Sequence, residues 1–408
     1  MPVAIALLIC CLFWASKRGG VELVLHGIGL FFLTMFVQLF VVLELYGASP
    51  DLTYGSDARF YYQASLSVLS GESSFTDFPA PLYVLWQAFV LGTSPSASFV
   101  YVLLANACLF VVAYVAQMLW LLKVGSDAEK FALGLSFSSK NKLFAWSWLF
   151  WANGIVLWTV ARGLKEVVIL VVLVLFLALV ALTSRAWLTF LLGAVATWVL
   201  AYVRPLGFFL PLIALGARYL TRRMNLTLAL TLTVTTILVM EVFFDQLDLL
   251  VYFREKFGET EAEEFVLGGR ILSLPVLGSL VAMIRFIMGP GPFRSLQQVI
   301  FGNVFEVSTK TGDVLIFLGS LAWWSVLLFV AVRLALSRRE RQVISQALFL
   351  TRESFFLGLA LVAVYGFIYF GTGDTRHRAL LYLLWAPTLV IYLSARRPYA
   401  PSLPHHPR

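Results

Sequence analysis

The sequence predicts an all-α protein that crosses a membrane many times, and three observations carry that expectation. Mean hydropathy is +0.88 over 408 residues, far above the soluble globular range. Only 13% of residues are Asp, Glu, Lys or Arg while 60% are hydrophobic, so long stretches carry no charge. Those stretches are continuously apolar rather than alternating. That selects helices over a closed barrel, the two structures able to satisfy their backbone polar groups in lipid. The net charge of +8 falls mostly in short loops between apolar segments, where it reports topology rather than nucleic-acid binding.

Taken in order, the apolar segments are 2–16, 21–46, 97–122, 142–160, 165–183, 186–203, 206–220, 225–243, 313–335, 354–371 and 379–395, about eleven spans. The first lacks a basic n-region and a small-residue cleavage site, so it is read as a helix and not a leader. The piece 79–92, PAPLYVLWQAFVLG, is shorter than the roughly 20 residues a bilayer core needs. Charge arbitrates its placement. If it folds back near the outer surface, one face collects Lys17, Arg18, Lys123, Lys130, Lys140, Lys142, Arg185, Arg218, Arg222, Arg223, Arg338, Arg339, Arg341, Arg352, Arg396 and Arg397. Those belong in the cytoplasm.

The other face then receives two long loops, about 47–96 and 244–312, each expected to hold interfacial or re-entrant helices. Residues 1–395 read as a single transmembrane domain without internal repeats, and 396–408 as a proline-rich, disordered cytoplasmic tail. Cys10, Cys11 and Cys108 all lie in apolar stretches, with no spacing that suggests a metal site.

Ionisable residues collect at the outer ends of the predicted helices. The segment SDARFYYQA supplies Asp57, Arg59, Tyr61 and Tyr62, and WTVARGLKEVVIL supplies Arg162, Lys165 and Glu166. AYVRPLG adds Arg204, GTGDTRHRAL adds Asp374, Arg376, His377 and Arg378, and the second long loop adds Arg270 and Arg285. Basic residues on an outer face run against the usual bias, and Arg is favoured where phosphate or carboxylate is gripped bidentately at low dielectric. The pattern implies a site at the membrane boundary for a phosphate-bearing ligand whose tail stays in lipid. The bland readings are a snorkelling Arg204, a dipole-favoured Glu166 at a helix start, and Asp57 as a cap. His26 and Glu44, inside the second segment, are expected to be buried and paired.

The order of these elements resembles the GT-C superfamily of membrane glycosyltransferases, and within it the polymerase-like proteins of bacterial exopolysaccharide and O-antigen pathways. SDARFYYQA, FPAPLYVLWQAFVLG, RGLKE, VRP and GDTRHR carry the likeness, over about residues 21–395. The resemblance implies a GT-C-like arrangement of helices. It also implies a donor sugar on polyprenyl phosphate or pyrophosphate, a glycan or lipid acceptor, and a site facing the periplasm from a bacterial inner membrane. It maps catalytic positions onto Asp57 and Glu166, and lipid-phosphate contacts onto Arg162, Lys165, Arg204, Arg376 and Arg378. The chain departs from better-known members in having Asp57-Ala58-Arg59 where many show paired acids, and no DxD. Metal-independent chemistry without a cofactor is therefore expected. Asp57 is the candidate base, with His377, titrating near neutrality, as its alternative. Arg59, Tyr61, Tyr62, Arg270 and Arg285 are candidate substrate contacts, the two tyrosines either stacking on a sugar ring or anchoring at the interface. The opposing expectation is a flippase for the same lipid-linked sugar. A membrane acyltransferase using His377 and a purely structural protein explain less of the arginine pattern.

Overall fold

The computed structural model describes residues 1–130, 136–137, 140–183, 185–204, 207, 209–220, 231, 235, 277–302, 309–368 and 375–396. Arg270, Asp374, residues 397–408 and nearly all of the expected span 225–243 lie outside the described residues. The fold is helical. In chain order the helices are α1 (Pro2–Gly19), α2 (Val21–Leu45), α3 (Ser56–Ser70), α4 (Pro81–Gly92), α5 (Val100–Lys130), α6 (Lys140–Trp151), α7 (Gly154–Ala161), α8 (Glu166–Leu182), α9 (Ala186–Val203) and α10 (Phe209–Leu220). They continue as α11 (Leu277–Met288), α12 (Pro292–Phe301), α13 (Lys310–Leu336), α14 (Arg338–Leu350), α15 (Arg352–Ile368) and α16 (Thr375–Ser394). The two-residue strands β1 (Ser136–Phe137) and β2 (Ala395–Arg396) pair antiparallel.

Among the described residues, α1, α2, α5, α9 and α13 are each long and apolar enough to cross a membrane. The bent pairs α6–α7 and α14–α15 raise the number to seven if each pair is one span. This is a helical, multi-pass membrane protein. The expected segments 165–183 and 206–220 appear as shorter apolar helices, α8 and α10. Helix α4 has twelve residues, about 18 Å at the helical rise, against a hydrocarbon core of roughly 30 Å. It packs on α3 beside the cluster described below.

Helix α5 is the axis of the bundle. Of its most apolar stretch 94% is buried, against 17–33% for α1, α2, α9 and α13. It is wrapped by α1, α2 and α8. The outer helices turn Leu25, Phe32 and Phe36 of α2, and Trp187, Phe190 and Trp198 of α9, away from the protein. Such residues need no protein partner when lipid is the solvent.

Two breaks in the apolar runs have local causes. Between α6 and α7 the chain bends by 59°. Asn153 stabilises the break: its Oδ1 accepts from the Ile155 N–H at 2.9 Å, and its Nδ2 donates to the Gly319 carbonyl at 2.9 Å. Helix α13 crosses so closely that a Cβ on Gly154 would lie 2.0 Å from the Leu315 carbonyl oxygen, the small-residue contact membrane helices favour. Inside α16, Pro387 has no N–H to offer the Leu383 carbonyl. Gln117 of α5 fills that role, its Nε2 donating at 3.0 Å while its Oε1 accepts from Trp151 Nε1 at 2.7 Å. Ser354 donates to the neighbouring Leu384 carbonyl.

Helix pairing fixes which ends lie together. Glu44, at the end of α2, accepts from the Thr311 backbone N–H at 3.0 Å and hydroxyl at 2.8 Å, tying it to the start of α13. Glu44 is therefore paired as expected, though exposed rather than buried. His26 is half-buried between the rings of Phe144 and Trp148, at 5.2 and 5.8 Å.

Candidate functional site

Five helix ends meet at one end of the bundle, and helix dipoles set the sign of four of them. Asp57 lies in the first turn of α3 and Glu166 is the first residue of α8, where negative charge is favoured. Arg204 is the C-cap of α9 and Arg162 the C-cap of α7, where positive charge is favoured. The first turn of α16 breaks this rule. It carries Arg376, His377 and Arg378 at the positive end of its own dipole, an arrangement that costs energy unless acids oppose it.

Those acids are present. Arg376 donates from Nη1 to Asp57 Oδ2 in a very short ion pair, and its Nε lies 3.7 Å from Glu166 Oε1. Arg204 Nη1 approaches the same Glu166 oxygen at 3.3 Å, and His377 Nε2 at 3.8 Å. Both Arg204 terminal nitrogens lie 3.2 Å from His377 Nε2. Tyr365 stacks on the His377 ring at 4.0 Å and lies beneath the Arg204 guanidinium at 5.1 Å. Exposure grades across the cluster. The Glu166 side chain is 1% exposed and forms the floor, Arg204 and Arg376 are 20% and 19% exposed, and Asp57 at 44% forms the rim. Glu166 Oε2 is buried with no hydrogen-bond partner among the described residues.

Lys165, at the N-cap of α8, donates to the Tyr61 hydroxyl at 2.6 Å. Arg162 lies over the rings of Tyr54 and Trp158, at 5.3 and 5.8 Å. Gly55, with φ 84°, turns the chain into α3, and a Cβ there would lie 3.4 Å from Arg162 Nη2. Only glycine combines that backbone with the close approach.

Charge sets the titration of these groups. Burial alone raises the Asp57 carboxyl; the bonded Arg376 guanidinium, with Lys165 and Arg162 beyond it, outweighs burial and leaves Asp57 below its ordinary value. Burial lowers the Lys165 ammonium, and Arg204 and Arg376 lower it further against the opposing pull of Glu166. Burial and the charges of Asp57 and Glu166 push the Tyr61 phenol up to about 12. His377 precedes the apolar stretch of α16. Burial first, then Arg204, Arg376, Arg378 and Lys165, hold it well below the usual histidine value. The expected titration of His377 near neutrality is thus corrected: a buried imidazole beside four cations stays neutral at pH 7.

The expected site residues divide into three groups. Asp57, Glu166, Arg204, Arg376 and His377 form one contact network, with Lys165, bonded to Tyr61, and Arg162 flanking it. Arg378 is buried and turned towards α11, its Nε donating to the Phe286 carbonyl at 3.3 Å. Arg285 is half-buried in the last turn of that same helix. The third group needs correction. Tyr61 and Tyr62 are 5% and 7% exposed, so neither offers an open face to a sugar ring. Helix α3 packs on α4, whose Tyr83 meets Tyr61 edge-on at 5.3 Å, and Tyr62 donates to the Ala97 carbonyl. Arg59 points the other way, pairing with Asp51 at 3.4 Å with its side chain 56% exposed.

Sequence reasoning did not single out Tyr365, Tyr54 or Tyr83. Tyr83 donates to the Gly163 carbonyl, bracing the link that carries Arg162 and Lys165. Its placement in a proline-bounded apolar segment was the available signal. Tyr365 had none, since it is one aromatic in an apolar helix.

No protein-family model, no curated protein sequence and no solved structure matches the chain.

Proposed function

We propose that this protein is a membrane glycosyltransferase of GT-C-like, roughly eleven-span architecture. It transfers a sugar from a polyprenyl phosphate or pyrophosphate to a glycan or lipid acceptor. One observation carries the reading: Arg376, at the unfavourable end of the α16 dipole, converges with Arg204 around two carboxylates, one on the floor and one on the rim. A phosphate anion suits that cluster better than a neutral ligand does. Side-chain positions also favour an outward-facing site. The opposite ends of the helices hold Lys17, Arg18, Lys123, Arg185, Arg338, Arg339 and Arg341, which the positive-inside rule places in the cytoplasm. A bacterial inner membrane, with the cluster facing the periplasm, fits that orientation.

In this mechanism Arg376 and Arg204 receive the donor phosphate and stabilise the charge that grows on the leaving oxygen. The acceptor hydroxyl oxygen forms the new bond to the anomeric carbon while the bond to the phosphate oxygen breaks. The hydroxyl proton passes to Asp57, and the polyprenyl (pyro)phosphate leaves as its anion. Without donor, Arg376 is engaged by Asp57. When phosphate takes over the guanidinium, Asp57 loses its strongest acidifying partner and becomes a better base at the moment one is needed. Glu166 holds Arg204 and Arg376 in place from below.

The test uses purified protein with a polyprenyl-pyrophosphate-linked oligosaccharide pool, following release of free carrier. Wild type releases carrier. Asp57→Asn binds donor without releasing it, and Arg376→Ala loses both. Binding by wild type with no release under any acceptor, together with movement of the lipid between leaflets in liposomes, would instead support the flippase reading.

A further inference from the structure

On the other side of Asp57 from the basic cluster lies a groove of about 820 Å³, within the range of ligand-sized sites. Its walls come from the end of α2, the link to α3, the first turn of α3 and the start of α13. The informative lining residues are Glu44, Thr53, Tyr54, Ser56, Arg59 and Lys310. Ser56 lines the groove and the next residue, Asp57, pairs with Arg376, so adjacent residues at the start of α3 face the groove and the cluster.

The lining chemistry is mixed. Glu44 is already engaged by Thr311, and Arg59 by Asp51. The full charges therefore do not define an anion trap. Lys310 at the rim, the hydroxyls of Ser49, Thr53 and Ser56, and the ring of Tyr54 remain. Thr53 is the sharpest feature: it is 5% exposed, and its Oγ1 has no hydrogen-bond partner among the described residues. A buried hydroxyl in that state is destabilising until something pairs with it. An acyl chain cannot pair with it, whereas a ligand whose own hydroxyls donate and accept can.

We infer that this groove seats a neutral, hydroxyl-rich oligosaccharide, the acceptor, and delivers one of its hydroxyls across the α3 turn to Asp57. The inference rests on the transferase reading for the acceptor role but not for the binding itself. Thr53 pairs with a ligand hydroxyl, Tyr54 offers an aromatic surface, and Ser56, Arg59 and Lys310 supply contacts along the rim.

The test uses the full chain in phosphatidylcholine nanodiscs and an array of lipid-free neutral oligosaccharides of two to six sugars. Binding is read by isothermal titration calorimetry. At least one array member binds to wild type. Thr53→Val, nearly isosteric, weakens that binding about tenfold, the equivalent of one lost hydrogen bond of roughly 1.4 kcal/mol. Ser56→Trp, which fills the groove, abolishes it. Polyprenyl phosphate, measured separately, binds equally to wild type and to both variants, which also shows that they fold. The inference is overturned if no array member binds, or if binding ignores both substitutions. Loss of polyprenyl phosphate binding in wild type, with saccharide binding intact, removes the proposed function and leaves the groove standing.

Discussion

The two ends of the helical bundle both bring arginines to carboxylates, and they do so differently. At the end away from the cluster, Arg218 meets Glu353 at 3.7 Å and Arg352 donates to the Arg218 carbonyl at 3.2 Å. There Glu340 contacts Arg333 through one oxygen, at 4.0 Å, and accepts from Tyr392 through the other, at 2.7 Å. A cleft of about 720 Å³ adjoins Arg218 and Glu353, whose charges are matched to each other. At the cluster end, a single oxygen of Glu166 is approached by Arg204, Arg376 and His377. Charges shared out pairwise fix helix ends. Charges crowded onto one buried oxygen are held in position at a cost, which is how binding and catalytic groups are stored.

The largest expected contrast is in stability. Glu166→Gln removes the buried carboxylate that Arg204 and Arg376 share and breaks two part-buried ion pairs, costing roughly 3 kcal/mol. Glu353→Gln removes one partner of one arginine and costs about half as much. Thermal unfolding of both variants in the same detergent measures the difference, and equal losses would erase the distinction between the two ends.

The next contrast is catalytic. Arg376→Ala lowers carrier release on the order of 10²–10³-fold, the usual effect of removing one donor to a developing oxyanion. Arg218→Ala leaves release within about twofold of wild type. Comparable losses from both would mean that the arginines act through stability alone.

Packing away from either cluster gives a third measure. Gln117→Leu leaves the Leu383 carbonyl unpaired at the Pro387 position and strips Trp151 of its acceptor. Each buried orphan costs roughly 1–3 kcal/mol. The loss shows in thermal unfolding, and turnover per folded molecule is unchanged.

Proton concentration separates the rim of the site from its floor. Asp57 has a lowered folded pKa, so its contribution to stability is present above the unfolded value of about 4 and is lost as pH falls through the folded value. The difference in melting temperature between wild type and Asp57→Asn is therefore constant from pH 5 to 8 and shrinks only in stronger acid. A difference that instead collapses between pH 5 and 7 would show that Arg376 does not hold Asp57 ionised.

The cluster was legible in the sequence because it violates a rule that lipid enforces. Arginines at 162, 204, 376 and 378 stand at helix ends on a face where the sequence expectation has few, and two of them, Arg204 and Arg376, meet the acids at the starts of α3 and α8. The long helices α1, α2, α5, α9 and α13 were legible from unbroken apolar length. Their partners were not. The run 142–160 is apolar over most of its length, and its break is fixed where Gly154 and Asn153 meet Leu315 and Gly319, some 160 residues away. Gln117 looked like one polar residue in a greasy helix, and its use depends on a proline 270 residues later. The groove at Thr53 was hidden for a similar reason, since its far wall is the start of α13.

The smallest effect tests two neighbours that the sequence could not tell apart. Tyr61 and Tyr62 share composition and context, but α3 turns them to different partners. The Tyr61 hydroxyl accepts from Lys165 within the cluster, whereas the Tyr62 hydroxyl donates to the Ala97 carbonyl and its ring meets Phe99 edge-on at 5.3 Å. Tyr62→Phe loses one hydrogen bond, about 1 kcal/mol of stability, and changes neither carrier affinity nor turnover. Tyr61→Phe removes the acceptor that positions the Lys165 ammonium, so carrier affinity falls a fewfold while stability moves by a similar 1 kcal/mol or so. The pair is informative because the stability changes match and only one variant loses affinity. If Tyr62→Phe also weakened the carrier, the first turns of α3 would have to face the ligand on both sides, and the burial of Tyr62 against Ala97 and Phe99 would be the feature to abandon.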